Sequence, residues 1–242
     1  MNALSMIELN SDIVGIARAV HYDTSYLYHV SKNDVLSESS FKYPALEWLE
    51  RQCENVKVGF EESHPLFSRR RVDIKWELNN VNCFLEMKYA KKETADKSEQ
   101  QRFFNDIFRL ASIAKNMTGS QCYFLVSGNS INWMQCFQNL EAISSGDYQI
   151  KQYPTEKQID SDKTIVSSGI YSEWLSFDMA NPERTIRSYK NGFYKSFKKD
   201  YSFKDKSIKH ENKITVGTKL LWISKQDLLE NSCMTAVWMV YV

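Results

Sequence analysis

Glycine is scarce in this chain, with eight in 242 residues, and none sits in a Gly-rich phosphate-cradling pattern. That excludes the nucleotide-binding loops built on such patterns. No run approaches the roughly 20 apolar residues of a membrane-spanning helix. Residues 1–9 also lack the basic segment and apolar stretch of a secretory signal. The expectation is therefore a cytoplasmic protein without a membrane partner. The five cysteines, Cys53, Cys83, Cys122, Cys136 and Cys233, are odd in number and dispersed. This argues against a disulfide framework or a zinc cluster and for reduced core thiols. The four histidines show no metal-binding spacing, and His64, ahead of Pro65, reads as a surface-loop residue. Neither charge sign dominates, since 31 Lys and Arg meet 30 Asp and Glu for a net charge of +1. Any strongly charged surface must be local.

What the chain does contain is a hairpin of unusual composition. Arg71 to Leu78 alternates apolar and charged residues with the period of two of a half-buried strand, and Val81 to Tyr89 reads as its partner. Only Asn79 and Asn80 separate them, and asparagine accepts the positive φ angles of a tight primed turn. Counting outward from Leu78 opposite Val81 brings Asp73 opposite Glu86 and Arg71 opposite Lys88. Opposed side chains on one face lie roughly 5 Å apart at Cβ. Two carboxylates so placed repel each other and raise each other's pKa unless a proton or cation lies between them. Mg2+ (or Mn2+) fits that place, needing one or two carboxylates and filling its other positions with water and phosphate oxygens. Lys88, two residues beyond Glu86, shares that face and can stabilise charge developing on phosphorus.

In Asp73, the short hairpin and Glu86-Met87-Lys88, the sequence resembles the PD-(D/E)XK nuclease superfamily, with Val72 where the name-giving proline would stand. The resemblance covers about residues 36–140 and implies a restriction-endonuclease-like α/β core, α-β-β-β-α-β around a mixed sheet flanked by helices. The expected order is a helix over Ser39 to Cys53, a strand over Val56 to Glu61, the hairpin, and an amphipathic helix over Ser98 to Asn116. That helix carries Phe103, Ile107, Leu110, Ala111 and Ala114 at helical spacing. A buried strand, Cys122 to Val126, stopped by Ser127-Gly128-Asn129, and a helix over Ile131 to Leu140 complete the core. The implied activity is Mg2+-dependent phosphodiester hydrolysis, most simply of DNA in restriction, defence or DNA processing. Asp73, Glu86 and Lys88 would be catalytic, with Asp73 and Glu86 holding the metal. The alternative is a nucleic-acid-binding or protein-interaction module that keeps the fold without cleaving.

The resemblance also implies a glutamate from the first helix. Glu38 lies seven and eleven residues before Ala45 and Leu49, on the sheet-facing stripe, and is the preferred third metal-site residue. A bland role for it is to support the helix N-terminus. Glu47 shares its side with Tyr43, Glu50 and Glu54 and reads as a solvated residue, at best accessory. Gln101, early in the second helix, is the other accessory candidate. Asp106 and Arg109, three apart, read as a local ion pair worth a few tenths of a kcal/mol.

Three regions are expected: an N-terminal helical cap over 1–35, the nuclease core over 36–143, and a basic, aromatic α+β extension over 144–242. The cap holds a helix over Asp12 to Ala19 followed by Tyr22, Tyr26 and Tyr28, and could serve as a homodimer contact. The polar stretch Ser144 to Lys163 marks the boundary of the extension. Residues 183–213 carry ten Lys or Arg against four Asp or Glu. There Arg184, Arg187, Lys190, Lys195, Lys198 and Lys199 alternate with Tyr189, Phe193, Tyr194 and Phe197, as in an arm contacting nucleic-acid phosphates. With Pro182 to Lys190 helical, Arg184, Arg187 and Asn191 would share a face. Thr218 to Ser224 and Thr235 to Val242 read as strands that either extend the sheet or form a small appendage.

Overall fold

In the computed structural model, residues 3–52, 56–91, 97–130, 132–133, 184–190, 192–224 and 232–242 are described. Four helices are used below: α1 (Ala3–His29), α2 (Lys42–Gln52), α3 (Lys97–Asn116) and α4 (Phe193–Asp200). Seven strands accompany them: β1 (Lys57–Ser63), β2 (Arg71–Leu78), β3 (Val81–Ala90), β4 (Gln121–Asn129), β5 (Arg184–Tyr189), β6 (Ile214–Ile223) and β7 (Cys233–Tyr241). The strands form one mixed sheet in the order β1-β2-β3-β4-β7-β6-β5, with β3 and β4 as its parallel pair.

The β2–β3 turn explains the register. Asn79 and Asn80 both adopt positive φ, 50° and 63°, as a type I′ turn demands. Leu78 then pairs with Val81, and the ladder continues through Lys75 with Phe84 to Ile74 with Leu85. Helix α3 supplies the crossover that a parallel neighbour requires, and β4 runs beside β3 from Cys83 opposite Gln121 to Ala90 opposite Gly128. The expected stop at Ser127-Gly128-Asn129 is corrected: β4 continues through all three. Gly128 sits there because a Cβ at this position would overlap the carbonyl oxygen of Ala90. Glycine thus marks a close backbone approach inside a strand.

Alternation along β3 and β4 divides the core between the two faces. Cys83, Leu85, Met87, Tyr123 and Leu125 pack with α1 and α2. Phe84, Ala90, Cys122, Phe124 and Val126 pack with α3 and α4. The chain is an α/β protein with helices on both sides of the sheet.

Several expectations need correction. The N-terminal helix is far longer than Asp12 to Ala19; α1 absorbs Tyr22, Tyr26 and Tyr28, leaving the first two exposed and burying the third. Residues 184–189 form strand β5, not the helix expected over Pro182 to Lys190. Edge pairing of β5 with β6 overrides the helical pattern read from that stretch. β6 and β7 extend the main sheet, β7 pairing directly with β4. The boundary at Ser144 to Lys163 and most of the helix over Ile131 to Leu140 lie outside the described residues. Cys83, Cys122 and Cys233 are buried and form no disulfide among the described residues. No helix among the described residues is long and apolar enough to cross a membrane.

Candidate active site

Where the β2–β3 ladder ends, the side chain of Asp73 replaces the backbone pairing: Asp73 Oδ2 accepts the Met87 amide at 2.7 Å. This fixes the carboxylate beside β3 at the level of Glu86, the position the register expected. Glu86 and Lys88 stand on the same side of β3 as Phe84 and Ala90, beneath α3. Lys88 Nζ lies 2.7 Å from Asp106 Oδ2 and 3.2 Å from Glu38 Oε1. Arg109 Nη2 lies 2.9 Å from Glu86 Oε1 and also pairs with Asp106. The outcome is an alternating chain of charges, Glu38, Lys88, Asp106, Arg109 and Glu86, with Asp73 alongside. Arg109 Nη1 further donates to the carbonyl of Arg71 at 3.2 Å.

Burial sets the electrostatics. Glu86 is only 1% exposed and Asp106 4%. Burial pushes Glu86 well above the carboxylate range, with Asp106 and Asp73 adding to the rise and Arg109 opposing it. Asp73 and Glu38 are raised for the same first reason, each opposed by Lys88. Burial alone would lower the pKa of Lys88, but Asp106, Glu38 and Asp73 outweigh it and hold the ammonium above the ordinary lysine range. Arg109 is held charged likewise by Asp106 and Glu86.

Four carboxylates face two cations, so with all four ionised the cluster would carry two negative charges in surplus, and burial disfavours that state unless a divalent ion matches it. Glu86 Oε1, buried, lacks a well-directed hydrogen bond despite its charge partner. No three His, Cys, Asp or Glu side chains among the described residues converge to cage a metal by themselves. Mg2+, which asks for only one or two carboxylates, is compatible with Asp73 and Glu86; a cage-bound ion is not.

Other candidates are placed elsewhere. Glu38 belongs to a 3-10 turn (Glu38–Phe41) ahead of α2, not to the helix proper, and reaches the cluster through Lys88. Glu47 pairs with Arg51 along α2. Gln101 Nε2 donates to Asn105 Oδ1 at 2.7 Å and to the Phe193 carbonyl at 3.3 Å. His64, expected on the surface, is fully buried. Its Nδ1 accepts the amides of Leu66 and Phe67, each at 3.1 Å, and burial, with Arg109 and Lys204 nearby, pulls its pKa down to about 3. In the basic segment Lys190, Lys195 and Lys199 are exposed, Lys198 lies over the Tyr194 ring, and Tyr189, Phe193, Tyr194 and Phe197 are buried, which removes them from base stacking.

Asp106 and Arg109 were missed as members of the cluster. A signal existed, because both fall among Phe103, Ile107, Leu110 and Ile113 on the stripe that α3 turns to the sheet. Charges in an apolar stripe point to a buried partner rather than to a solvated i,i+3 pair. Compared with protein-family models, curated proteins and solved structures, the chain matches none.

Proposed function

We propose that this protein is a Mg2+-dependent nuclease of the PD-(D/E)XK type, with a restriction-endonuclease-like core, acting on DNA as an endonuclease. The observation that carries this reading is the meeting of Asp73, Glu86 and Lys88 on one face at the end of the β2–β3 hairpin, inside a cluster whose carboxylates outnumber its cations by two. The element order α2-β1-β2-β3-α3-β4 supports it. Asp73 and Glu86 would hold the ion. When bound, such an ion lowers the pKa of a water and neutralises charge on a phosphoryl oxygen. Asp73 is oriented by the Met87 amide, which donates to its Oδ2. Lys88 stays protonated between Asp106 and Glu38 and contributes a fixed positive charge, not a base, to the phosphorane-like transition state. Cutting both strands of a duplex would favour a homodimer of two-fold symmetry.

One observation favours a second reading, a binding module on the same fold that does not cleave: the Arg109 guanidinium already pairs with Glu86 at 2.9 Å. Incubation of supercoiled plasmid with Mg2+ or Mn2+ separates the two. Wild type is expected to nick or linearise it, and Asp73→Ala and Lys88→Ala, matched for folding, to lose about 10²-fold or more of the rate. A folded wild type that neither cuts nor binds Mg2+ by calorimetry sinks the nuclease reading in favour of the binding module.

A further inference from the structure

Resting on the reading of the carboxylate site as a phosphodiesterase, we infer that the substrate's phosphate backbone is held by a basic strap. It is made of the loop before β2 and the segment after α4, not of the aromatic arm along 184–199. The two pieces are far apart in sequence and laced together in space. Phe67 and Phe203 form an antiparallel bridge, Ser68 N donates to the Ser202 carbonyl at 3.0 Å, and Lys204 N donates to the Leu66 carbonyl at 2.7 Å. Arg70 Nη2 caps the Asp200 carbonyl at 3.0 Å while its guanidinium lies 4.2 Å from the Tyr201 ring centroid. Beneath, Phe67 packs on Phe203 at 4.7 Å and on Tyr201 at 5.7 Å, which pins both backbones.

Residues 66–71 and 201–206 together hold five cations against one aspartate, in a chain whose total is only +1. Arg69, Arg71, Lys204 and Lys206 are exposed and form no ion pair among the described residues. Elsewhere several cations pair with a carboxylate nearby, as in Lys42 with Glu61, Arg51 with Glu47 and Lys115 with Glu211. Unmatched cations on a pinned backbone repel one another, and a polyanion relieves that repulsion by releasing its own counterions.

The strap leads to the site. The carbonyl of Arg71 is held by Arg109 of the charge cluster, and Asp73 follows two residues later, roughly 7 Å along the strand. A backbone resting on Arg69 and Arg71 therefore delivers its next phosphate toward Lys88. The ligand chemistry is a phosphodiester chain, common to DNA and RNA.

Fluorescence anisotropy in EDTA tests this, using a labelled duplex DNA of about 20 base pairs and single-stranded DNA and RNA of the same length, across a salt series. The triple variant Arg69→Gln/Arg71→Gln/Lys204→Gln is expected to bind the preferred probe at least about tenfold more weakly. For duplex, its slope of log affinity against log salt should be shallower by about 2 to 3. Arg51→Gln/Lys57→Gln, on the α2 and β1 side, is the control and should match wild type. The probe bound best names the substrate as duplex, single strand or RNA. Absence of binding by wild type, equal binding by the triple variant, or capture of anionic vesicles in place of nucleic acid overturns the inference. A wild type that binds through these residues yet cuts nothing removes the hydrolytic reading and leaves the strap. One that cuts while the triple variant binds normally does the reverse.

Discussion

Arg109→Met is the perturbation that reports most directly on the buried charge chain. The methionine keeps the aliphatic packing against α3's neighbours but removes the charge partner of Glu86 and Asp106, both nearly inaccessible to water. Breaking a buried pair by removing one member leaves an uncompensated charge and costs about 3–5 kcal/mol. For a chain of this length each kcal/mol lowers Tm by roughly 2 °C, so the expected fall is about 6–10 °C. The loss should depend on pH in a definite direction. Glu86 already sits above its ordinary range because of burial, and losing the opposing guanidinium raises it further. A carboxylate raised in the folded state favours folding when protonated, so the variant recovers stability as pH falls and loses it as pH rises. If the proposed site takes Mg2+, the ion should also stabilise the variant, by about 2.7 kcal/mol at a hundred times its dissociation constant. Thermal unfolding followed by circular dichroism at several pH values, with and without Mg2+, measures all three effects. A fall of less than about 2 °C, insensitive to pH and to Mg2+, would refute the reasoning.

Three further outcomes are expected. His64 stays neutral in the fold down to about pH 3 against an ordinary 6.5, so the unfolded chain binds a proton first. Stability is therefore lost on acidification between these values by roughly 1.4 kcal/mol per pH unit, and His64→Gln should show a shallower acid limb in denaturant titrations. Gly128→Ala sets a methyl against the Ala90 carbonyl and should lower stability by about 1–3 kcal/mol in the same titrations. An unchanged midpoint would mean that β3 and β4 can separate freely. Asn80→Val places a β-branched residue at φ 63° and should destabilise by about 1–3 kcal/mol, whereas Asn80→Gly should be nearly neutral.

The sequence spoke most clearly where local chemistry has one solution. Two asparagines between alternating strands leave only a primed turn, and from that turn the register through Ile74 and Leu85 follows by counting. Helix α3 was visible from its apolar period. Local pattern failed where tertiary pairing decides. Residues 184–189 carry a helical spacing of arginines but form an edge strand because β6 offers an open ladder. Gly128 resembles a strand stop until the neighbouring Ala90 carbonyl is known. His64 follows Ser63 and precedes Pro65 in a loop that looks solvated, yet it is fully buried, its ring packed against Phe67 and its Nδ1 bonded to the amides of Leu66 and Phe67. Asp106 and Arg109 satisfy a helical pair rule so well that their longer-range partners stay hidden until β3 is placed under α3.

The strand order holds a consequence for how the molecule comes together. β7 lies between β4 and β6 in space although β5 and β6 precede it in the chain. Ser127 and Thr235, 108 residues apart, share a 2.6 Å hydrogen bond at that seam. Until so long a loop closes, β4 presents the apolar row Cys122 to Val126 as an open edge, ready to pair with another chain. Folding of this protein should accordingly be slow, governed by late, distant contacts, and in a crowded cell its yield would be set by whether β7 reaches β4 before a neighbouring molecule does.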